Sequence, residues 1–279
     1  MAVMDAEDNQ AVPTRLRLDV AYDGTGFSGW AAQPGLRTAQ GILEAALETV
    51  LRLPVGSCRL TVAGRTDAGV HARAQVSHVD LALGERDPMQ LGLRLNRLLP
   101  DDVVVRRVSA APHGFDARFS ATWRRYAYRI CDQSQNGDPM RRHEVLSWPR
   151  PLDERAMNDA AAGLLGEHDF AAFCKRREGA STVRHLRELG WTRDDSLLTC
   201  RVVADAFCHH MVRSLVGCLL VVGEGKRPAS WATDVLAAGV RDSRVPVVAA
   251  HGLTLEQVGY PPDAEIAARA SEARAPRGG

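Results

Sequence analysis

Lysine is nearly missing from this chain: of its 35 basic residues, only Lys175 and Lys226 are not arginine. Arginine's planar fork suits bidentate phosphate recognition, although a bias toward Arg and Ala across the whole sequence accounts for the count. Net charge is lacking too. The 35 basic residues face 34 acidic ones, a balance of +1, so a nucleic-acid role cannot rest on overall charge and requires a localised patch. Aromatics are only 5% of the residues, which leaves most packing to aliphatic side chains. The longest apolar stretch, Leu215 to Gly223, is about half a membrane span, so no membrane association is expected. The N-terminal MAVMDAEDNQ is acidic and polar, without the basic region and apolar run of a signal peptide. The six cysteines (Cys58, Cys131, Cys174, Cys200, Cys208 and Cys218) form no C-x-x-C pair. They are expected as reduced thiols of a cytoplasmic protein, and a zinc site is not expected.

What is present is a chain of 279 residues, 45% hydrophobic, enough for one large domain or two of ordinary size. After a tail over 1–13, Leu16, Leu18, Val20 and Tyr22 alternate with Arg15, Arg17, Asp19 and Ala21, the period of a half-buried strand. Thr38 is placed to cap a helix running to about Arg52. Strands near 58–63 and 73–82, a helix near 88–98 and a strand near 103–110 complete a βαββαβ, or ferredoxin-like, unit. The order then recurs: a strand over about 119–131, a helix near 153–164, strands near 184–193 and 197–207, a helix over 208–223 and a strand near 252–258. The expected fold is therefore α+β, two ferredoxin-like halves (14–114 and 115–262) with adjoining antiparallel sheets and a central cleft. A flexible tail over 263–279 follows. Clefts of this kind are the usual place for a site.

Two motifs mislead. Gly24-Thr25-Gly26-Phe27-Ser28-Gly29 matches G-x-G-x-x-G after a strand. A dinucleotide site would need a helix to open inside it, yet Trp30, Pro34 and Gly35 come first. Asp67-Ala68-Gly69 has no second copy to make an aspartic-protease dyad, and alone it reads as a turn. Its context, Ala63-Gly64-Arg65-Thr66-Asp67-Ala68-Gly69-Val70-His71-Ala72, is a tight loop whose glycines let backbone approach a substrate closely. From the residues alone, a hairpin Asx-turn and a functional carboxylate both stand. His209-His210 has no acidic or cysteine partner at ligand spacing, which favours structural or RNA-contact roles.

G-R-T-D-A-G-V-H-A resembles, residue for residue, the catalytic loop of the tRNA pseudouridine synthase A family. Tyr22-Asp23-Gly24-Thr25-Gly26-Phe27-Ser28-Gly29-Trp30 is similar to that family's first signature. The resemblance continues in order through Leu95-Asn96-Arg97-Leu98-Leu99-Pro100, Phe115-Asp116-Ala117-Arg118-Phe119-Ser120-Ala121 and Arg125-Tyr126-x-Tyr128. His168-Asp169-Phe170, Ser181-Thr182-Val183-Arg184, His210-Met211-Val212-Arg213, Gly223-Glu224-Gly225-Lys226 and Gly252-Leu253 extend it to about residue 260. Ala31 and Cys208 depart from the pattern, at positions not expected to touch the chemistry.

The resemblance implies isomerisation of uridine to pseudouridine at positions 38, 39 and 40 of the tRNA anticodon stem-loop, by a homodimer that needs no cofactor and no metal. It implies Asp67 as the catalytic aspartate, Arg213 as its ion-pair partner and Tyr126 as a stacking platform for the everted uracil. Arg65 would intercalate or contact phosphate. Arg124-Arg125, Arg141-Arg142, Lys175-Arg176-Arg177 and Arg184/Arg187 would line the RNA track. Two other classes remain: a non-catalytic RNA-binding module, which lacks an RNP1-type aromatic run, and a hydrolase using Asp67, which lacks a second placed acid.

Overall fold

A computed structural model describes residues 13–83, 86–132, 137–175, 179 and 181–275. Residues 1–12 of the expected N-terminal tail, Arg176, Arg177 and residues 276–279 lie outside them.

Strand β1 (Thr14–Tyr22) follows its alternation, with Leu16, Leu18 and Val20 fully buried. The hydroxyl of Thr38 accepts the Gly41 N–H and starts α1 (Ala39–Leu51). Strand β2 shrinks to Thr61–Val62. The physical reason lies in α1: its Glu48 and Glu44 carboxylates take the N–H groups of Cys58 and Leu60, which a longer strand would have used. Strand β3 (His71–Leu81), α2 (Pro88–Leu98, capped by Asp87) and β4 (Val103–Ala110) finish the first unit.

The second unit opens with β5 (Trp123–Cys131), shorter than expected because Asp116 caps a turn before it, accepting the N–H groups of Arg118 and Phe119. Next come β6 (Leu146–Ser147), α3 (Glu154–Ala162), β7 (Gly166–Asp169), β8 (Val183–Asp194), β9 (Leu197–Ala204), α4 (Met211–Gly223), α5 (Trp231–Ala238) and β10 (Leu253–Gly259). Strands β6 and β7 and helix α5 had no clear period in the sequence.

Each unit has the ferredoxin-like strand order, β4-β1-β3-β2 in the first and β10-β5-β9-β8 in the second. The two antiparallel sheets meet through one parallel pair, Thr254 with His71 and Leu255 with Ala72, and so merge into a single ten-stranded sheet. Strand β3 begins at this seam, directly after the Asp67 loop. Helix α1 packs on α2, and α3 packs on α4. No helix among the described residues is long and apolar enough to cross a membrane.

Two expectations need correction. The segment after Pro262 is not loose over its described part: α6 (Ile266–Arg274) buries Ile266 and Ala270, and Arg274 pairs with Asp116 at 2.6 Å. Nor are all six cysteines free, since Cys174 and Cys208 form a disulfide with their Cα atoms 5.7 Å apart. This pair had no sequence signal because 34 residues separate its members. Thiol titration of the unfolded, unreduced protein should therefore count four thiols, the number of free cysteines among the described residues. After reduction it should count six. Six thiols before reduction would show the pair unlinked.

Candidate active site

The loop joining β2 to β3 carries Asp67 to the wall of a cavity of about 480 Å³, within the range of roughly 300–1,000 Å³ usual for small-molecule sites. The carboxylate is a quarter exposed, so it is open to a substrate yet partly desolvated. Arg213, in the first turn of α4, places Nη1 3.5 Å from Asp67 Oδ2. Its Nε donates to the Val248 carbonyl at 2.7 Å, which fixes the guanidinium. Two further side chains reach the same carboxylate: His209 Nε2 lies 3.3 Å from Oδ1 and His210 Nε2 lies 3.6 Å from Oδ2. Burial pushes the His210 imidazole toward its neutral form; Asp67 opposes this, while His209, Arg213 and Lys175 reinforce it. His210 sits in the left-handed region, φ 68°, uncommon for a residue with a side chain.

Among the described residues, Asp67 is the only acid lining the cavity, against five arginines: Arg65, Arg118, Arg124, Arg184 and Arg213. The near-zero net charge thus conceals a segregated positive surface. Tyr126 lines the cavity with its ring largely buried, and burial raises its phenol pKa. Phe207 meets that ring edge-on at 5.2 Å. Arg65 is exposed on the same cavity.

The glycine-rich segment rejected as a nucleotide site is the platform beneath the loop. The hydroxyls of Tyr22 and Thr66 are 2.7 Å apart, Trp30 N–H donates to the Thr66 carbonyl, and Gly69 N–H donates to the Phe27 carbonyl. A Cβ on Gly24 would lie 2.1 Å from the Val70 carbonyl oxygen, so only glycine permits the approach.

Arg124 is a clamp and not part of a solvated RNA track. Its buried guanidinium donates to the carbonyls of Ala63 before the loop, Arg118 after the first unit and Asp205 before the histidines. Arg141 pairs with Glu144, and Arg187 donates to the Thr122 carbonyl. Among the described residues of the expected basic clusters, only Arg124 and Arg184 line the cavity.

The family model described as tRNA pseudouridine synthase matches residues 20–120 and 160–261, spans that include the Asp67 loop and Arg213 and leave out Tyr126. The chain belongs to the tRNA pseudouridine synthase family. It is 58% identical over 272 residues to a tRNA pseudouridine synthase A of Streptomyces griseus, covering 95% of each chain. It is 59% identical to the one of Streptomyces avermitilis, covering 93% of each, and 48% identical to that of Mycobacterium leprae, covering 96% of each. A crystal structure of a Cbf5-Nop10-Gar1 complex aligns over 74% of this chain and 45% of its own, at 12% identity and TM-score 0.36, too distant to bear on the argument.

In this member of the pseudouridine synthase family, sequence reasoning missed the His209–His210 contact with Asp67, the Arg124 clamp and the Tyr22–Thr66 bond. All of these residues except Arg124 and His209 lie within quoted motifs, but their partners come from other elements. Cys208 also proves closer to the site than expected, since it lines the cavity and directly precedes His209.

Tyr22→Phe should cost about 1–3 kcal/mol of stability, because its hydroxyl bonds to Thr66 and accepts from Gln75, both buried. It should lower kcat more than it raises KM, because it loosens the loop and leaves the RNA surface intact; steady-state kinetics separates the two. Arg124→Met would strip three carbonyls of their donor. It should lower Tm by roughly 5 °C or more in thermal unfolding; an unchanged Tm would show that the clamp carries no load.

Proposed function

We propose that this chain isomerises uridine to pseudouridine in tRNA, with Asp67 as its nucleophile. The observation that carries the reading is one carboxylate, paired with Arg213, in a cavity whose described lining also holds four further arginines, two histidines and Tyr126. Arginines suit an RNA backbone, and a lone carboxylate suits a reaction that never loses its leaving group. The N1–C1′ bond breaks, the uracil turns, C5 bonds to C1′, and the C5 proton leaves. Retaining glycosidases need a second carboxylic acid to release the aglycone. Here the base is both leaving group and returning nucleophile, so one carboxylate suffices.

Arg213, anchored on Val248, pairs with the Asp67 carboxylate and orients it. From this position Asp67 attacks C1′, adds to C6, or removes a sugar proton toward a glycal; the three share the same placement. Tyr126 stacks on the everted uracil, worth about 1–3 kcal/mol, which offsets the few kcal/mol of unstacking. Arg65 fills the stem or holds phosphate behind the departing base. The proposal further takes positions 38, 39 and 40 of the anticodon stem-loop as the target, and a homodimer in the cytoplasm as the working form.

With tRNA carrying [5-³H]uridine, wild type should release tritium and Asp67→Ala should release none. RNA bound without release by wild type would favour a binding module, and strand or glycosidic cleavage a hydrolase. Tyr126→Phe should keep most of the activity, while Tyr126→Ala should lose roughly 5–150-fold, the equivalent of one stacking contact. Equal losses in both would shift the role to the hydroxyl.

A further inference from the structure

His209 and His210 have no partner in the sequence at metal-ligand spacing, but folding supplies one from the Asp67 loop. One ligand atom from each of Asp67, His209 and His210 lies within 4.8 Å of the other two. The two imidazole-to-carboxylate separations are 3.3 and 3.6 Å. A zinc-class ion binds nitrogen and carboxylate oxygen at about 2.0–2.2 Å, which puts neighbouring corners of a tetrahedron about 3.3–3.6 Å apart. The histidine rings are held together beside the carboxylate, their centroids 4.0 Å apart.

We infer that Asp67, His209 and His210 form a site for one divalent transition-metal ion of the zinc class, and that its occupation switches the isomerase off. The inhibitory half rests on the reading of Asp67 as nucleophile; the binding half does not. Two imidazoles and one carboxylate suit Zn²⁺, Co²⁺ or Ni²⁺, whereas Mg²⁺ and Ca²⁺ favour all-oxygen shells. Three protein ligands leave a fourth position for water. All three side chains are about a quarter exposed, so an ion reaches them from the cavity.

The surrounding charge sets the character of the site. Arg213 cannot swing away, because Val248 holds its Nε, and Lys175 adds a second cation near His210. A dication there meets like charge, which makes the site weaker than a closed structural zinc centre. It therefore acts as a reversible inhibitory site and not as the seat of a resident cofactor. A bound ion would occupy the carboxylate lone pairs that the reaction needs and stand where the everted nucleoside enters.

The test is a Co²⁺ titration of the full chain after chelator treatment. A single equivalent should give visible d–d bands, displaced by Zn²⁺, without the near-ultraviolet charge transfer of thiolate ligation. His209→Ala and His210→Ala should each weaken binding by about 10–100-fold or more, with circular dichroism checking their fold and His209→Gln and His210→Asn standing in if either fails to fold. Zn²⁺ should inhibit tritium release at the concentrations at which it binds, with recovery on adding EDTA and no such effect from Mg²⁺. Absence of the one-equivalent band, thiolate bands, or binding unchanged in the histidine variants would overturn the site. Bound metal with undiminished tritium release would overturn the switch. The metal-free Asp67→Ala assay judges the nucleophile independently, so failure of either idea is visible without the other.

Discussion

An ion pair between Asp67 and Arg213, formed across the seam between two sheets, is the contact around which this structure is arranged. Asp67 comes from the first unit and its cationic partner Arg213 from the second. Neither unit alone builds the pair. The parallel step between β3 and β10 is short, only two residue pairs, yet it fixes where the loop before β3 faces α4. The ion pair at 3.5 Å is at the outer limit of a hydrogen bond, so orientation cannot depend on it alone. The anchoring of Arg213 to Val248 and the two imidazoles share that task.

The segments that resemble the family are mostly scaffolding for this one side chain. The Tyr22–Trp30 segment grips the Asp67 loop from below through Tyr22, Phe27 and Trp30. Asn96 pairs both ways with the Val105 backbone, locking α2 to β4. Asp116 caps its own turn and receives Arg274 from α6. Gly252 allows Tyr128 to pack where any side chain would collide. Such positions are fixed by backbone geometry and buried hydrogen bonds, whose loss is costly when a donor or acceptor is left unpaired.

Charge is used in two distinct ways. Arg124 is buried and spends its donors on three carbonyls, tying together the segments that form the cavity wall. Arg65 and Arg118 are exposed on the same cavity and face solvent. A count of basic residues cannot separate these uses, and neither can their clustering along the chain. The Cys174–Cys208 link and the Asp67–His209–His210 group likewise join positions far apart in sequence and close to one another at the site.

The sequence by itself determined the elements and their order, because period-2 and period-3.6 patterns, Thr38 and Asp87 as caps, and glycine-marked turns are local properties of the chain. It also determined the family, since the loop around Asp67 and the ordered motifs are contiguous residues. Only the tertiary structure decided which side chains meet. The length of β2 was set by carboxylates of α1, the packing of α6 by Asp116, and the surroundings of Asp67 by a loop and helix of the other unit. Pairings across a sheet seam depend on how two units dock, and docking geometry is a property of whole surfaces that no stretch of sequence encodes alone.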